Sequence, residues 1–297
     1  MTLPDFQTWM GSVQARMEAA LVRLLPSGKI APVRLHEAMR YATLGGGKRV
    51  RPLIAFAAGD LAGAAPERLE VAAAALEMIH AYSLVHDDMP CMDDDVLRRG
   101  KRTVHVEFDQ ATAMLVGDAL QSLAFQLLSE SRLADSADAQ LEMVKALAQA
   151  AGSRGMAGGQ AIDLESTGQA LALAELEFMH IHKTGALIRA AAALGALCGG
   201  LDAAGRAKLD HFAKCIGLAF QVVDDVLDAE ASTATLGKTA GKDAKQGKST
   251  YVSALGAARA RAFAEELRTE SHAALASFGA RAVRLRQLAD FIVLREF

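Results

Sequence analysis

Three cysteines, six prolines and one tryptophan are all that 297 residues contain of those types. Cys91, Cys198 and Cys215 are odd in number and scattered, with no C-x-x-C spacing. That pattern gives neither a disulfide framework nor a zinc site, and it fits a reducing, cytoplasmic setting. Pro90 is the last proline, so nothing beyond it breaks a helix by that route. Alternating Val/Ile/Thr segments are missing, which leaves no strand candidate. No uninterrupted apolar run is long enough to cross a bilayer; "ALIRAAAALGALCGGL" carries Arg189, so no membrane span is expected. The N-terminus lacks the basic start and unbroken apolar stretch of a signal peptide. A net charge of −3 gives no electrostatic case for nucleic-acid binding. Any phosphate site must therefore come from local basic clusters.

What remains is Ala, Leu, Glu, Gln, Met and Arg, good helix formers, in a chain that is 52% hydrophobic. Short breaks such as "LPSGK", "LGGGKR", "AGAAP" and "GGLDAAG" separate helix-length segments. No composition shift marks a linker. The expectation is one all-α domain over residues 1–297, a helical bundle. Segments 186–201 and 111–128 are apolar on most of their circumference, which places them at a helix-lined interior, a cavity or a subunit interface. A homodimer is expected on the same observation.

Against that background "HDDMPCMDDDVLRRG" stands out. Asp87, Asp88, Asp93, Asp94 and Asp95 fall within nine positions and are followed by Arg98 and Arg99. Two carboxylates about 4 Å apart repel by roughly 4 kcal/mol at the effective dielectric of a protein surface. Pro90 leaves Asp87 and Asp88 at the C-terminal end of a helix, which is already partly negative. A solvated acidic loop would tolerate this, but the motif adjoins a buried-looking helix. Divalent Mg²⁺, held by a few carboxylates plus substrate phosphates, is the natural counter-ion. His80 lies two turns before Asp87 on nearly the same helical face.

A second acidic set, "VVDDVLD", lies far downstream and contains Asp224, Asp225 and Asp228. Asp224 and Asp228 are four apart, one above the other on a helix whose remaining residues are apolar. Unpaired carboxylates in that setting are costly. "LGGGKRVRP" then supplies Lys48, Arg49 and Arg51 beside three glycines and Pro52, a favourable start for a helix and for an anion site. It is not a P-loop. "HKTGALIR" adds Lys183 and Thr184. "LGKTAGKDAKQGKST" adds Lys238, Lys242, Lys245 and Lys248 on a glycine-punctuated loop, either solvated or a lid over phosphates. Two carboxylate clusters and several phosphate-type cations around an apolar interior call for a substrate with a diphosphate head and a hydrocarbon tail.

Taken in order, "LGGGKRVRP", "HAYSLVHDDMPCMDDDVLRRGKRTVH", "VGDALQSLAF", "GGQAIDLES", "HKTGALIRAA", "GLAFQVVDDVLD" and "TLGKTAGKDAKQGKSTY" resemble the trans-isoprenyl diphosphate synthases, most of all the bacterial short-chain type. The resemblance runs over nearly the whole chain and implies the isoprenoid-synthase-like bundle around a central apolar cavity. It implies that Asp87, Asp88 and Asp93, with Asp224, Asp225 and Asp228, hold about three Mg²⁺. Arg98, Lys183, Thr184, Gln221, Lys238 and Lys248 would surround the allylic diphosphate. Lys48, Arg51, His80 and Arg99 would bind isopentenyl diphosphate. Asp87, Asp93, Arg98, Lys183, Asp224 and Lys238 would carry the ionisation, condensation and elimination steps. Tyr82, with Ser83, would floor the tail pocket and stop growth at the C15 farnesyl product.

One departure is visible: relatives of this type often end in a basic tail, whereas this chain ends "VLREF", with Arg295 opposed by Glu296. Three other readings compete. A class I terpene cyclase needs no isopentenyl site, so Lys48, Arg51 and His80 argue against it. His86-Asp87 could form a phosphohydrolase dyad, but no second histidine completes it. A silent partner subunit would have lost acidic ligands, and both sets are kept. Geranyl or geranylgeranyl diphosphate is the alternative product.

Overall fold

The computed structural model describes residues 5–230 and 248–295. Among these the chain is all-α apart from one short hairpin. Proximity divides it into two compact units, Met1–Val144 with Leu194–Gly200, and Lys145–Ala193 with Leu201–Phe297.

In the first unit the helices are α1 (Phe6–Leu24), α2 (Val33–Thr43), α3 (Val50–Ala62), α4 (Pro66–Asp87), α5 (Val104–Glu107) and α6 (Gln110–Glu130). Local chemistry sets several of their starts. Asp5 accepts from the Thr8 amide at 3.0 Å and caps α1, and Asp109 accepts from the Thr112 amide at 2.7 Å and caps α6. Pro66 opens α4, where its missing N–H costs nothing. Within α4, Leu69, Leu76, Met78 and Ile79 are fully buried. Each contributes about 1.5–3 kcal/mol of transfer free energy. The run Ala72–Ala75 is equally buried, and its small side chains let α3 and α6 approach. α6 has the length and hydropathy of a membrane span. Its Ala113, Val116, Leu120 and Ala124 are buried in this unit along one face, while Met114 and Leu115 are exposed.

The hairpin pairs β1 (Leu97–Arg98) with β2 (Lys101–Arg102) in antiparallel register, Leu97 opposite Arg102. Sequence patterning offered no strand here because two residues are too few to alternate. The turn shows why it forms: Arg99 and Gly100 have φ of 53° and 74°, the left-handed pair of a tight hairpin turn.

α7 (Ala137–Ala151) and α10 (Ala186–Cys198) are each split by the division. The second unit further holds α8 (Met156–Glu165), α9 (Leu173–His180), a π-helical turn (Ile181–Gly185), α11 (Ala203–Glu230), α12 (Tyr251–Leu255), α13 (Ala257–Ala274) and α14 (Val283–Val293). Its core is a stripe along α11, Cys215, Ala219, Val222, Val223 and Val226, packed with Tyr251 and with Ala260, Ala264 and Leu267 of α13. That stripe follows helical spacing and fixes which face of α11 turns outward.

Candidate active site

The cationic loop before α3 is built by its glycines. Gly45, Gly46 and Gly47 have φ of 91°, 108° and 108°, which L side chains rarely adopt. A Cβ on Gly47 would also lie 2.7 Å from the Arg99 guanidinium, which donates to the Gly46 carbonyl at 3.1 Å. The glycine turn and the hairpin turn are thus in contact. Arg49, one of three basic residues in the motif, faces inward. It is 7% exposed, donates to Glu77 at 2.6 Å and Glu18 at 2.9 Å, and closes on the Thr43 carbonyl at 2.8 Å. Arg49 anchors the turn, while Lys48 is exposed and Arg51 half-buried.

His80 stands on α4 near these cations. Burial, and after it the charges of Arg51, Arg99, Arg98 and Arg49, holds its imidazole well below the usual range. It is therefore neutral at pH 7, a hydrogen-bonding group that adds no charge to an already basic cluster. Arg51, His80, Arg98 and Arg99 thus come together within one unit.

Asp87 ends α4, and the loop after it folds back so that the Asp93 amide donates to the Asp87 carbonyl at 2.8 Å. The two side chains at 87 and 93 are half-buried. Asp88 differs: it is 3% exposed and gripped by Arg98, with Nε and Nη2 of the guanidinium 2.5–2.9 Å from its oxygens. Burial pushes the Asp88 carboxyl up against the pull of Arg98. Arg98 in turn loses to burial but is held above its ordinary range by the Asp88 contact.

His86 is turned into the fold. Its Nε2 lies 3.1 Å from the Met114 carbonyl, which only accepts, so Nε2 carries the proton. That removes Nε2 from any metal dyad with Asp87. Tyr82, 8% exposed, meets the His86 ring edge-on at 5.9 Å and bonds Gln121, and burial raises its hydroxyl's pKa. Ser83 is half-buried and donates to the His80 carbonyl at 2.9 Å.

The second unit gathers the other predicted residues. Lys183 and Thr184 sit in the π turn, where an extra residue per turn opens the helix. Gly159 of α8 lies against it: a Cβ there would be 2.1 Å from the Lys183 amide. Lys183 donates to Asp163 at 2.5 Å, and Lys248 reaches the same oxygen at 3.4 Å. Burial pushes the Asp163 carboxyl up, but the two lysines outweigh it and hold it below the usual carboxylate range. Thr184 Oγ1 bonds Gln221 at 3.2 Å, and Gln221 donates to Asp225 at 2.8 Å. Asp225, 4% exposed, also accepts from the Tyr251 amide at 2.8 Å and so caps the start of α12. Asp224 is half-buried on the same turn, and Asp228 is 6% exposed one turn on.

Three functional contacts escaped sequence reasoning. Asp163, quoted in "GGQAIDLES", is the anion that spaces Lys183 and Lys248; both lysines are too far along the chain for spacing to have given a signal. Tyr251 is fully buried and stacks on His180 at 5.5 Å, with burial and then Lys183 lowering the His180 pKa to about 4. Arg295, the sole basic residue of the chain's end, is engaged within the second unit. It donates to Asp224 at 2.5 Å and to the Phe220 carbonyl at 3.1 Å, and lies over the Phe220 ring at 4.2 Å. Lys238, with Lys242 and Lys245, lies outside the described residues.

The donor sets are hard oxygens beside several cations, the composition that suits a divalent ion bridging to phosphate. Comparison with known proteins agrees. The family model described as polyprenyl synthetase matches residues 32–276. A probable farnesyl diphosphate synthase of Sinorhizobium fredii is 50% identical over 96% of this chain and 86% of its own. The farnesyl diphosphate synthase of Escherichia coli is 46% identical over 98% of this chain and 99% of its own. Geranylgeranyl pyrophosphate synthase 4 of Arabidopsis thaliana is 45% identical over 98% and 78%. Among solved structures, an FPP/GFPP synthase of Zymomonas mobilis superposes with a TM-score of 0.87 at 42% identity, covering 97% of this chain and 98% of that one. A geranyltransferase of Helicobacter pylori, complexed with magnesium and isoprenyl diphosphate, gives 0.85 at 32% identity, with 99% and 98% covered. The chain belongs to the polyprenyl synthetase family and is a prenyltransferase of the trans-isoprenyl diphosphate synthase type.

Proposed function

We propose that this prenyltransferase condenses isopentenyl diphosphate with dimethylallyl and then geranyl diphosphate, releasing diphosphate and ending at (2E,6E)-farnesyl diphosphate. The observation that carries the reading is the pairing of an outward carboxylate with an inward one in each aspartate motif. Asp87, Asp88 and Asp93, with Asp224, Asp225 and Asp228, are the groups assigned to Mg²⁺, about three ions in all. Asp87, Asp93 and Asp224 are the half-buried members, and Asp88 and Asp225 are also tied to neighbouring groups of the fold. When bound, Mg²⁺ supplies Lewis-acid stabilisation of charge on the departing diphosphate.

The chain's own residues do the rest. Lys183, Lys248 and Arg98, with Lys238, neutralise the allylic diphosphate, and Asp163 pairs with the two described lysines. Thr184 and Gln221 add polar contacts to the same group as the C1–O bond breaks. Lys48, Arg51 and Arg99 hold the isopentenyl diphosphate, and neutral His80 donates a hydrogen bond there. The double bond attacks the allylic cation, and the proton then lost goes to the released diphosphate. Apolar walls keep water from quenching the cation.

Tyr82 supports the C15 assignment. It is buried on α4 five residues, about one and a half turns, before Asp87, and it is tied by Gln121 and His86. A geranylgeranyl product is the second reading, favoured by the Arabidopsis relative. A homodimer in the cytoplasm is part of the same proposal, with the exposed Met114 and Leu115 of α6 in the interface.

The test is a product assay with labelled isopentenyl diphosphate and geranyl diphosphate, with Mg²⁺ and with EDTA. Metal-dependent C15 product is the expected result, and Tyr82→Ala should shift it to C20 or longer. Absence of label in any prenyl product from folded protein would overturn the proposal. An unchanged C15 product from an active Tyr82→Ala enzyme would remove Tyr82 from the floor.

A further inference from the structure

Away from both aspartate motifs, three side chains of different chemistry converge where α11 crosses α13. His211 and Cys215 are four apart on α11 and therefore share one face, a turn from each other. Glu270 reaches across from α13. One ligand atom from each, an imidazole nitrogen, the Cys215 sulfur and a carboxylate oxygen, all lie within 4.8 Å of one another. His211 Nε2 is 3.0 Å from Glu270 Oε1. The sulfur lies on the buried side, at 4% exposure, while His211 and Glu270 are about half exposed.

From this geometry we propose a transition-metal site formed by His211, Cys215 and Glu270, taking a borderline-soft divalent ion of the Zn²⁺ class with water in the fourth position. Metal–ligand distances of about 2.0–2.3 Å in a tetrahedron put the ligand atoms about 3.3–3.8 Å apart. The present spread closes to that by rotation of the two half-exposed side chains, with the buried sulfur as the fixed point. A thiolate donor selects against Mg²⁺, so this site does not compete for the ion assigned to the aspartates. Lys214, the neighbouring cation, is drawn aside by Asp210 at 3.1 Å. On binding, the Cys215 thiol gives its proton to bulk water and the sulfur–metal bond forms. The result is a brace between α11 and α13. The absence of C-x-x-C spacing does not exclude such a site, because i,i+4 on a helix supplies two ligands and the third comes from a different helix.

Cobalt provides the readout. Metal-free full-length protein, in millimolar Mg²⁺ to occupy the carboxylate sites, is titrated with Co²⁺. A near-ultraviolet thiolate-to-cobalt band with one equivalent, together with the strong visible bands of a four-coordinate ion, is the expected result. Cys215→Ser should lose the ultraviolet band entirely, Cys91→Ser should keep it, and His211→Ala or Glu270→Gln should weaken binding at least about tenfold. Zn²⁺ at a hundredfold over its dissociation constant should raise Tm by about 3 °C or more. No sulfur band, or a band that survives in Cys215→Ser, would overturn the proposal. Should Cys215→Ser fail to fold, the surface variants decide it: unchanged Co²⁺ affinity in both would be equally fatal.

Discussion

The two aspartate motifs solve one problem with different scaffolds. The first lies on a loop that leaves α4, and its inward member, Asp88, is held by a side chain ten residues away in the β1–β2 hairpin. The second lies mid-helix on α11, and its inward member, Asp225, is held by a backbone amide and by Gln221 one turn back. In both, the first aspartate of the pair is half-buried and the second is buried. On the proposed reading a doubled aspartate divides its labour: the half-buried carboxylate is assigned to the metal, and the buried one is tied to neighbouring groups of the fold. The difference is in what keeps the outward carboxylate company. Asp224 is already engaged by Arg295, tethered at the chain's end, whereas Asp87 and Asp93 belong to a loop whose basic neighbour, Arg98, is committed to Asp88.

The division of labour can be broken most sharply at the first pair. Asp87→Asn is expected to lower kcat about 10³-fold, the scale of lost transition-state electrostatics, with Tm unchanged. Asp88→Asn should also lower Tm, through a loss of about 2 kcal/mol of stability, less than for a fully buried pair because Arg98 is a third exposed. Paired assays of kcat and thermal unfolding separate the two; equal Tm values for both variants would dissolve the distinction. At the second pair, Asp225→Asn should cost about 1.5 kcal/mol in urea unfolding through its lost hydrogen bonds, and Asp224→Asn about 1 kcal/mol through the lost pairing with Arg295.

A smaller effect sharpens the contrast between the motifs. Arg295→Ala frees Asp224 from its built-in cation and should lower the Mg²⁺ concentration for half-maximal activity about fivefold, the equivalent of roughly 1 kcal/mol. No change would mean that Arg295 leaves Asp224 without cost. The smallest concerns acid. Asp163 titrates below its ordinary 3.8 in the folded chain, so its stabilisation is complete above that value and is lost as pH falls through the folded pKa. Wild type and Asp163→Asn should therefore differ in stability at pH 6 and converge below about pH 3.8. A constant gap across that range would contradict the ion pairing with Lys183 and Lys248.

Much of this was legible in the chain. Carboxylates crowded beside an apolar helix, a helix-stopping Pro90 and glycines before Lys48 are local patterns, and local patterns survive into the structure. The all-α class followed from what was missing. What could not be read was the identity of partners distant in sequence. Arg49 looks like Lys48 and Arg51 in the motif, and only Glu77 and Glu18 make it structural. Arg295 stands beside Glu296 in "VLREF", and its partner Asp224 lies 71 residues earlier, in α11. Asp163 has no basic residue within a turn of it to betray its role. Two residues of hairpin were invisible because strand periodicity needs length.

The π turn at Ile181–Gly185 bears on how this protein tolerates change in its length. A π turn is an α-helix with one residue inserted, and each residue is worth about 100° of rotation. Deleting any one residue there would let the segment relax into a regular helix. The flanking helix faces would stay nearly in place, because the wide turn already absorbs the extra residue. The loss would fall on the turn itself, where Lys183 meets Asp163 and Thr184 meets Gln221. At this point the gene encodes geometry by counting, and a deletion of three nucleotides would do more harm than most replacements.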